Sequence, residues 1–254
     1  MSTFYKKLPS KPRNLIFGFR PVIETILAGQ TIEKIFIQKG HKLLLSKEFS
    51  TLIREREIPY SYVPVEKLNK LSNQNHQGVI ALLSPIDFTP LEVMIPTIFE
   101  QGRVPLVVVL DGVTDVHNFG AISRTARCMG VDALVIPTHS SSSLSGAAMK
   151  TSAGALASLP ICRVADISVA LKYLQNSGLM VVACYEKATQ VLYDINLTLP
   201  TALIFGSEGE GIDAASLKWV THHSKIPMQG PIASLNVSVA AGIMLYEAFR
   251  QRIL

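Results

Sequence analysis

Asn118, Arg124, Glu208, Ser234 and Asn236 are the residues of this 254-residue chain whose types and settings could do chemistry. They fall in three segments, Asp115 to Ala126, Phe205 to Gly211 and Ile226 to Ala240. Arg124 stands among Ala, Ser and Thr, which leaves it little packing reason and leaves room for a ligand or partner chain. The plain alternative is a surface Arg on an ordinary capped helix. Glu208 sits among Gly206, Gly209 and Gly211, directly after an apolar run. Glycines at such a junction permit positive φ and close backbone approach to a bound molecule, or simply a tight strand–helix turn. Ser234 and Asn236 interrupt an apolar stretch behind a rigid loop of Pro227, Gly230 and Pro231, so a buried pair is expected that needs partners. Capping the final helix would satisfy them too.

Several other chemistries are disfavoured. Gly206 to Gly211 is not G-x-G-x-x-G, so a dinucleotide site is weakly supported. Gly146-Ala-Ala-Met149-Lys150-Thr151 fails as a phosphate-binding loop, because Met149 stands where Gly is required. Cys128, Cys162 and Cys184 are scattered, which argues against a disulfide framework or a cysteine-rich zinc site. No metal site is expected, His222-His223 included, because adjacent residues do not share a face. No apolar run could span a bilayer, and the basic N-terminus is not followed by a signal-peptide core. A cytoplasmic globular protein is expected. Residues 1–70 carry 13 Lys and Arg against 6 Asp and Glu, a net +7. The remainder carries 11 against 13, a net −2. The basic end is therefore a candidate phosphate contact, and residues 1–13 read as a basic tail.

The elements that must hold these residues divide the chain. Residues 1–84 read as a small α/β unit with helices at Arg20 to Leu27, Leu43 to Glu55 and Val65 to Leu71. Its strands read as Ile32 to Gln38, Ile58 to Val63 and Gly78 to Leu83. Residues 85–104, with Pro85, Pro90, Pro96 and Gly102, read as a linker carrying a short helix near Leu91 to Glu100. From 105 the strands are continuous apolar runs at Leu106 to Leu110, Ala133 to Ile136, Leu179 to Ala183 and Ala202 to Phe205. Such runs indicate parallel strands covered on both faces. Helices are expected at Asn118 to Met129, Ser142 to Ala157, Ile167 to Asn176, Ile212 to Trp219 and Leu235 to Arg252. The fold class is α/β, an open doubly wound sheet over 105–254.

The three segments, in this order and spacing, resemble the signature motifs of the SpoU/TrmH branch of the SPOUT methyltransferases. Phe17 to Leu27 and Asn75-His76-Gln77-Gly78-Val79 resemble the start and end of that family's L30e-like substrate-binding domain. The likeness runs from about Asn14 to Arg252, with Val116 where a Pro is usual and Phe119 in place of a common Leu. It implies transfer of a methyl group from S-adenosylmethionine to a ribose 2′-hydroxyl of RNA. It implies Asn118 and Arg124 on the substrate side, with Glu208, Ser234 and Asn236 completing the catalytic set. Gly206, Gly209, Ile226, Met228 and Leu235 are implied to hold the cofactor. A C-terminal trefoil knot and a homodimer are further implications, the dimer suiting a slim Ala240-Ala241-Gly242 face. Lys150 to Ala155 resembles another family stretch, with a role in ribose or knot packing. The basic first domain points to structured ribosomal RNA, most closely a guanosine of 23S rRNA. The alternatives are a resistance-type rRNA or a tRNA 2′-O-methyltransferase, a non-catalytic RNA-binding assembly protein of the same fold, or a nucleotide-using α/β enzyme.

Overall fold

The computed structural model describes residues 14–40, 47–139, 146–185, 188–231 and 234–253. The basic tail, and the starts of the helices expected from Leu43 and Ser142, lie outside them. The chain divides into two compact units, Met1–Pro85 and Ile86–Leu254.

The first unit runs β1 (Leu15–Phe17), α1 (Phe19–Leu27), β2 (Ile32–Gln38), α2 (Lys47–Glu55), β3 (Tyr60–Val63), α3 (Val65–Leu71) and β4 (Val79–Leu83). Its sheet has the order β1-β4-β2-β3. The β4 pairings are antiparallel and β2–β3 is parallel. Alternation along β2 sends Ile35 and Ile37 to a core shared with Val22, Ile26, Phe49 and Ile53 of the two flanking helices. Phe36 faces the other way, toward Leu68 and Ile80. β1 is too short to show a period of two, and the sequence did not reveal it. The Asn75 to Gly78 stretch is a latch. The Gly78 amide donates to His76 Nδ1 at 3.0 Å, so Nε2 carries the proton and donates to Asn69 Oδ1 at 2.9 Å.

The second unit begins with α4 (Leu91–Glu100), whose Leu91, Ile95 and Ile98 are buried in the same cluster as Val107 and Val109. The stretch that reads as a linker is thus part of this unit's core, because its apolar residues recur at helical spacing despite Pro96. There follow β5 (Leu106–Asp111), α5 (Val116–Cys128), β6 (Ala133–Pro137), α6 (Gly146–Thr151), β7 (Ile161–Val164), α7 (Ile167–Asn176) and β8 (Met180–Cys184). The chain ends with β9 (Gln190–Val191), β10 (Thr201–Gly206), α8 (Ala214–Leu217), β11 (His222–Lys225) and α9 (Val237–Ile253). All seven strands pair in parallel, in the order β7-β6-β5-β10-β8-β11-β9. One face carries α5, α6 and α9 and the other α4, α7 and α8, so both faces are covered, which is why β5, β6, β8 and β10 read as apolar runs. The polar β11 and the two-residue β9 escaped the sequence reading for the opposite reason. After β7 the chain crosses to the far side of β5, so the strand order reverses at β5 and β10. Ligands bind outside the strand carboxyl ends at such a point. Arg252 fixes α9 at the sheet's other end, donating to the carbonyls of Leu197, Leu199, Val104 and Pro105. Among the described residues, no helix is long and apolar enough to cross a membrane.

Candidate functional site

α5 starts at Val116, and its N-cap is Asp115, whose Oδ1 accepts from the amides of His117 and Asn118 at 2.9 and 2.8 Å. The helix expected from Asn118 thus starts two residues earlier, Asn118 is inside its first turn, and its side chain is released for other bonds. The helix packs closely on α6 because residue 120 is Gly. A Cβ there would stand 2.7 Å from Thr151 Cβ, so the Lys150 to Ala155 stretch serves helix packing at this point.

β10 runs beside β5 and delivers Gly206 opposite Asp111. The loop then closes on itself, with Ser207 and Gly211 exchanging backbone hydrogen bonds of 2.9 and 3.1 Å. A Cβ on Gly206 would fall 2.1 Å from the Gly211 carbonyl carbon, so glycine is obligatory. Gly211 needs its positive φ of 74°. Gly209 has neither constraint and is exposed. The glycine pattern therefore answers first to the loop's own closure. Its product is a tight turn with Glu208 at the tip. The far end of the loop is tied down where the Asp213 amide donates to Asp111 Oδ2 at 3.0 Å.

Asn236 caps α9. Its Oδ1 accepts from the Ser238 amide at 2.9 Å and hydroxyl at 2.6 Å. An amide N–H can only donate, so Oδ1 must face it and Nδ2 must point away. Nδ2 donates to Glu208 Oε1 at 2.8 Å and to Asn118 Oδ1 at 3.1 Å. Asn118 Nδ2 closes the ring, donating to the same Oε1 at 2.7 Å. Glu208 Oε2 has no partner among the described residues. The cap thus orients one amide, that amide orients the other, and both fix the carboxylate.

A cavity of about 620 Å³ opens beside this cluster. It is lined at the strand ends by Cys184 and Tyr185, by the whole loop from Phe205 to Ile212, and by Ile226, Met228 and Ser234 to Val237. Gly206, Glu208, Gly209, Ile226, Met228, Ser234, Leu235 and Asn236 all line it. Met228 and Leu235 leave 40% and 38% of their surface open, apolar area available to a ligand. Ser234 and Asn236 are exposed, not the buried pair expected. They stand at the mouth of the cavity, where solvent reaches them. Burial pushes the Cys184 thiol up, against the opposing bonds from Ser224 and Ile226, so the cavity carries no ready thiolate. No cluster of His, Cys, Asp or Glu fit for a metal occurs among the described residues.

Arg124 does not join the cluster. It lies six residues beyond Asn118, about 9 Å along the helix and about 240° around it. It is exposed and bonds to none of the described residues. Asp115, Asp213 and Tyr185 were missed. The two aspartates precede helix starts and carry the usual capping signal. Tyr185 follows a strand end in a parallel sheet, where sites gather, but Tyr alone is a weak marker.

A parallel sheet with a polar cluster and cavity at the strand ends beside its switch point is the build of an α/β enzyme that holds a small-molecule ligand. The SpoU rRNA Methylase family model matches residues 105–246, and one for RNA 2′-O ribose methyltransferase substrate binding matches residues 15–89. The chain belongs to the SpoU/TrmH family of RNA methyltransferases. A TrmH family tRNA/rRNA methyltransferase of Staphylococcus haemolyticus is 35% identical over 94% of this chain and 96% of that protein. Among solved structures, the SpoU methyltransferase AviRb of Streptomyces viridochromogenes, in complex with AdoMet, has a TM-score of 0.60 and 26% identity, covering 94% of this chain and 90% of that one. An RNA 2′-O ribose methyltransferase has a TM-score of 0.55 and 29% identity over 96% and 90% of the two chains.

Proposed function

We propose that this protein methylates a ribose 2′-hydroxyl in structured RNA, and that the target is a guanosine of 23S rRNA. The reading is carried by the Asn118–Glu208–Asn236 ring at the cavity mouth. It is supported by the similarity to enzymes described as ribose methyltransferases. A tRNA modifying enzyme of A. aeolicus covers only 64% of this chain, whereas the TrmH relative and AviRb both cover 94%. That contrast favours a substrate that engages the first unit as well as the second. A ribosomal RNA substrate would place the reaction in the cytoplasm.

The methyl donor is S-adenosylmethionine, which supplies a sulfonium methyl when bound. The cavity suits an adenosine-bearing group in volume, in its backbone-rich loops, and in the open apolar surface of Met228 and Leu235. Gly206, Gly209, Ile226, Met228 and Leu235 are the residues that would hold it. On the substrate side, Asn118 and Asn236 keep the Glu208 carboxylate in place, and its free Oε2 accepts the proton leaving the ribose hydroxyl. Ser234 offers a hydroxyl at the same mouth. Arg124 cannot act as a base, because guanidinium keeps its proton. It clamps a neighbouring phosphate and steadies the charge that develops on the ribose oxygen.

Its distance from its own chain's ring fits a homodimer, in which a two-fold axis brings each Arg124 to the partner's cavity. Of the slim face expected for this contact, Ala241 is buried in its own core, while Ala240 and Gly242 are half-buried. The most open side of α9 is the stripe Val239, Ile243 and Tyr246, at helical spacing and all exposed. Mapping of 2′-O-methylation across ribosomal and transfer RNA in a deletion strain tests the assignment. One 23S guanosine should lose its mark and regain it with the wild-type gene but not with Glu208→Gln. A lost mark in tRNA, or none lost, would contradict it.

A further inference from the structure

Tyr185 lines the cavity yet takes no part in the ring of polar residues. Its backbone continues the sheet, the amide donating to the Ser224 carbonyl at 2.9 Å. In β11, His223 pairs with Ala183. Residues two apart on a strand share a face, so Tyr185 and His223 come out on the same side. The tyrosine hydroxyl and His223 Nδ1 exchange a hydrogen bond of 2.8 Å. The rings meet edge to face, 5.7 Å between centroids and 89° between planes. The side chain is thus fixed at both ends, by the sheet at its root and by His223 at its tip. The other aromatic among the lining residues, Phe205, is buried in the core and has little surface to give.

A half-buried aromatic ring held this way costs little entropy when a flat ligand arrives, because its rotamer is already fixed. We propose that Tyr185 is the aromatic wall against which the adenine of the methyl donor lies, with His223 as the positioning residue that holds that wall upright. The inference rests on the cofactor reading above. Adenine is a flat π-system, and bases stack on aromatic side chains.

The test is calorimetric titration of the full chain with S-adenosylhomocysteine, paired with proton NMR of the bound adenine. In the wild type the adenine ring protons should move upfield, the signature of lying over an aromatic face. Tyr185→Leu should lose that shift and bind about tenfold more weakly. Tyr185→Phe should keep the shift and bind only a few-fold more weakly. His223→Phe should match Tyr185→Phe, and the double variant should lose nothing more, since both single changes remove one bond. That cycle decides the matter even if Tyr185→Leu misfolds: a double variant weakened by the product of the two single losses overturns the positioning role. An upfield shift that persists in Tyr185→Leu overturns the aromatic wall and leaves the cofactor reading standing. A wild-type protein that binds no S-adenosylhomocysteine removes both.

Discussion

The two units handle polar side chains in opposite ways, and their sheets explain why. In Ile86–Leu254 every strand is parallel, so every carboxyl end opens on one edge. Asn118, Glu208 and Asn236 meet there although 90, 28 and 118 residues separate the pairs. In Met1–Pro85 the sheet is mixed, so loops leave from both edges. Here the side-chain bonds of His76 are local, reaching Asn69 seven residues away and the Gly78 amide two away. Chemistry that needs groups from distant segments follows the parallel sheet. The mixed sheet is left with a surface, and residues 15–89, which contain it, match the family model for substrate binding.

The sharpest way to break this contrast is at the convergence point. Glu208→Gln should lower methyl transfer about 100- to 1,000-fold at saturating RNA, with little change in melting temperature because the residue is exposed. Near-normal turnover would show that the ring is only structural. Arg124→Ala should cost about 100-fold in turnover and leave cofactor affinity unchanged. Arg124→Lys should rescue little, since a point charge lacks the fork. Full activity in either variant would remove the phosphate clamp.

The next comparison is within one loop. Gly206→Ala should destabilise the second unit by about 3 kcal/mol or more and abolish cofactor binding, because its Cβ meets backbone that cannot yield. Gly209→Ala should stay within about 0.5 kcal/mol. Thermal melts with and without S-adenosylhomocysteine separate the two.

The smallest effects belong to the first unit. Lys34 and Lys67 flank the Phe36 ring at 5.7 and 5.8 Å. Changing both to Ala should weaken RNA binding several-fold and lower the salt slope of log affinity by about 1 to 2. Turnover at saturating RNA should not change. A drop in turnover with no change in affinity would reverse the division of labour between the units.

How much of this was legible depended on whether a residue answered to local or distant neighbours. Continuous apolar runs announced β5, β6, β8 and β10, because both faces of a parallel sheet are buried. β11 and β9 were hidden, since His222-His223 and Gln190-Val191 carry no such run. Glu208 and Asn236 were legible as polar residues at strand–helix junctions. Their mutual bonds were not, because the meeting depends on which strands become neighbours. The glycines illustrate the limit. The sequence treats Gly206 and Gly209 alike, yet only Gly206 is forced by the loop's closure. The helix expected from Asn118 starts at Val116, because Asp115 three residues before Asn118 already caps it.

The central claim is that the Asn118–Glu208–Asn236 ring is a methyl-transfer centre acting on ribose. The most direct measurement incubates the purified full chain with methyl-labelled S-adenosylmethionine and 23S rRNA, then hydrolyses the product in alkali. A 2′-O-methyl group blocks cleavage at its own nucleotide, so the account predicts label in an alkali-resistant dinucleotide, and none with Glu208→Gln. Label released in single nucleotides would place the methyl group on a base and contradict the account.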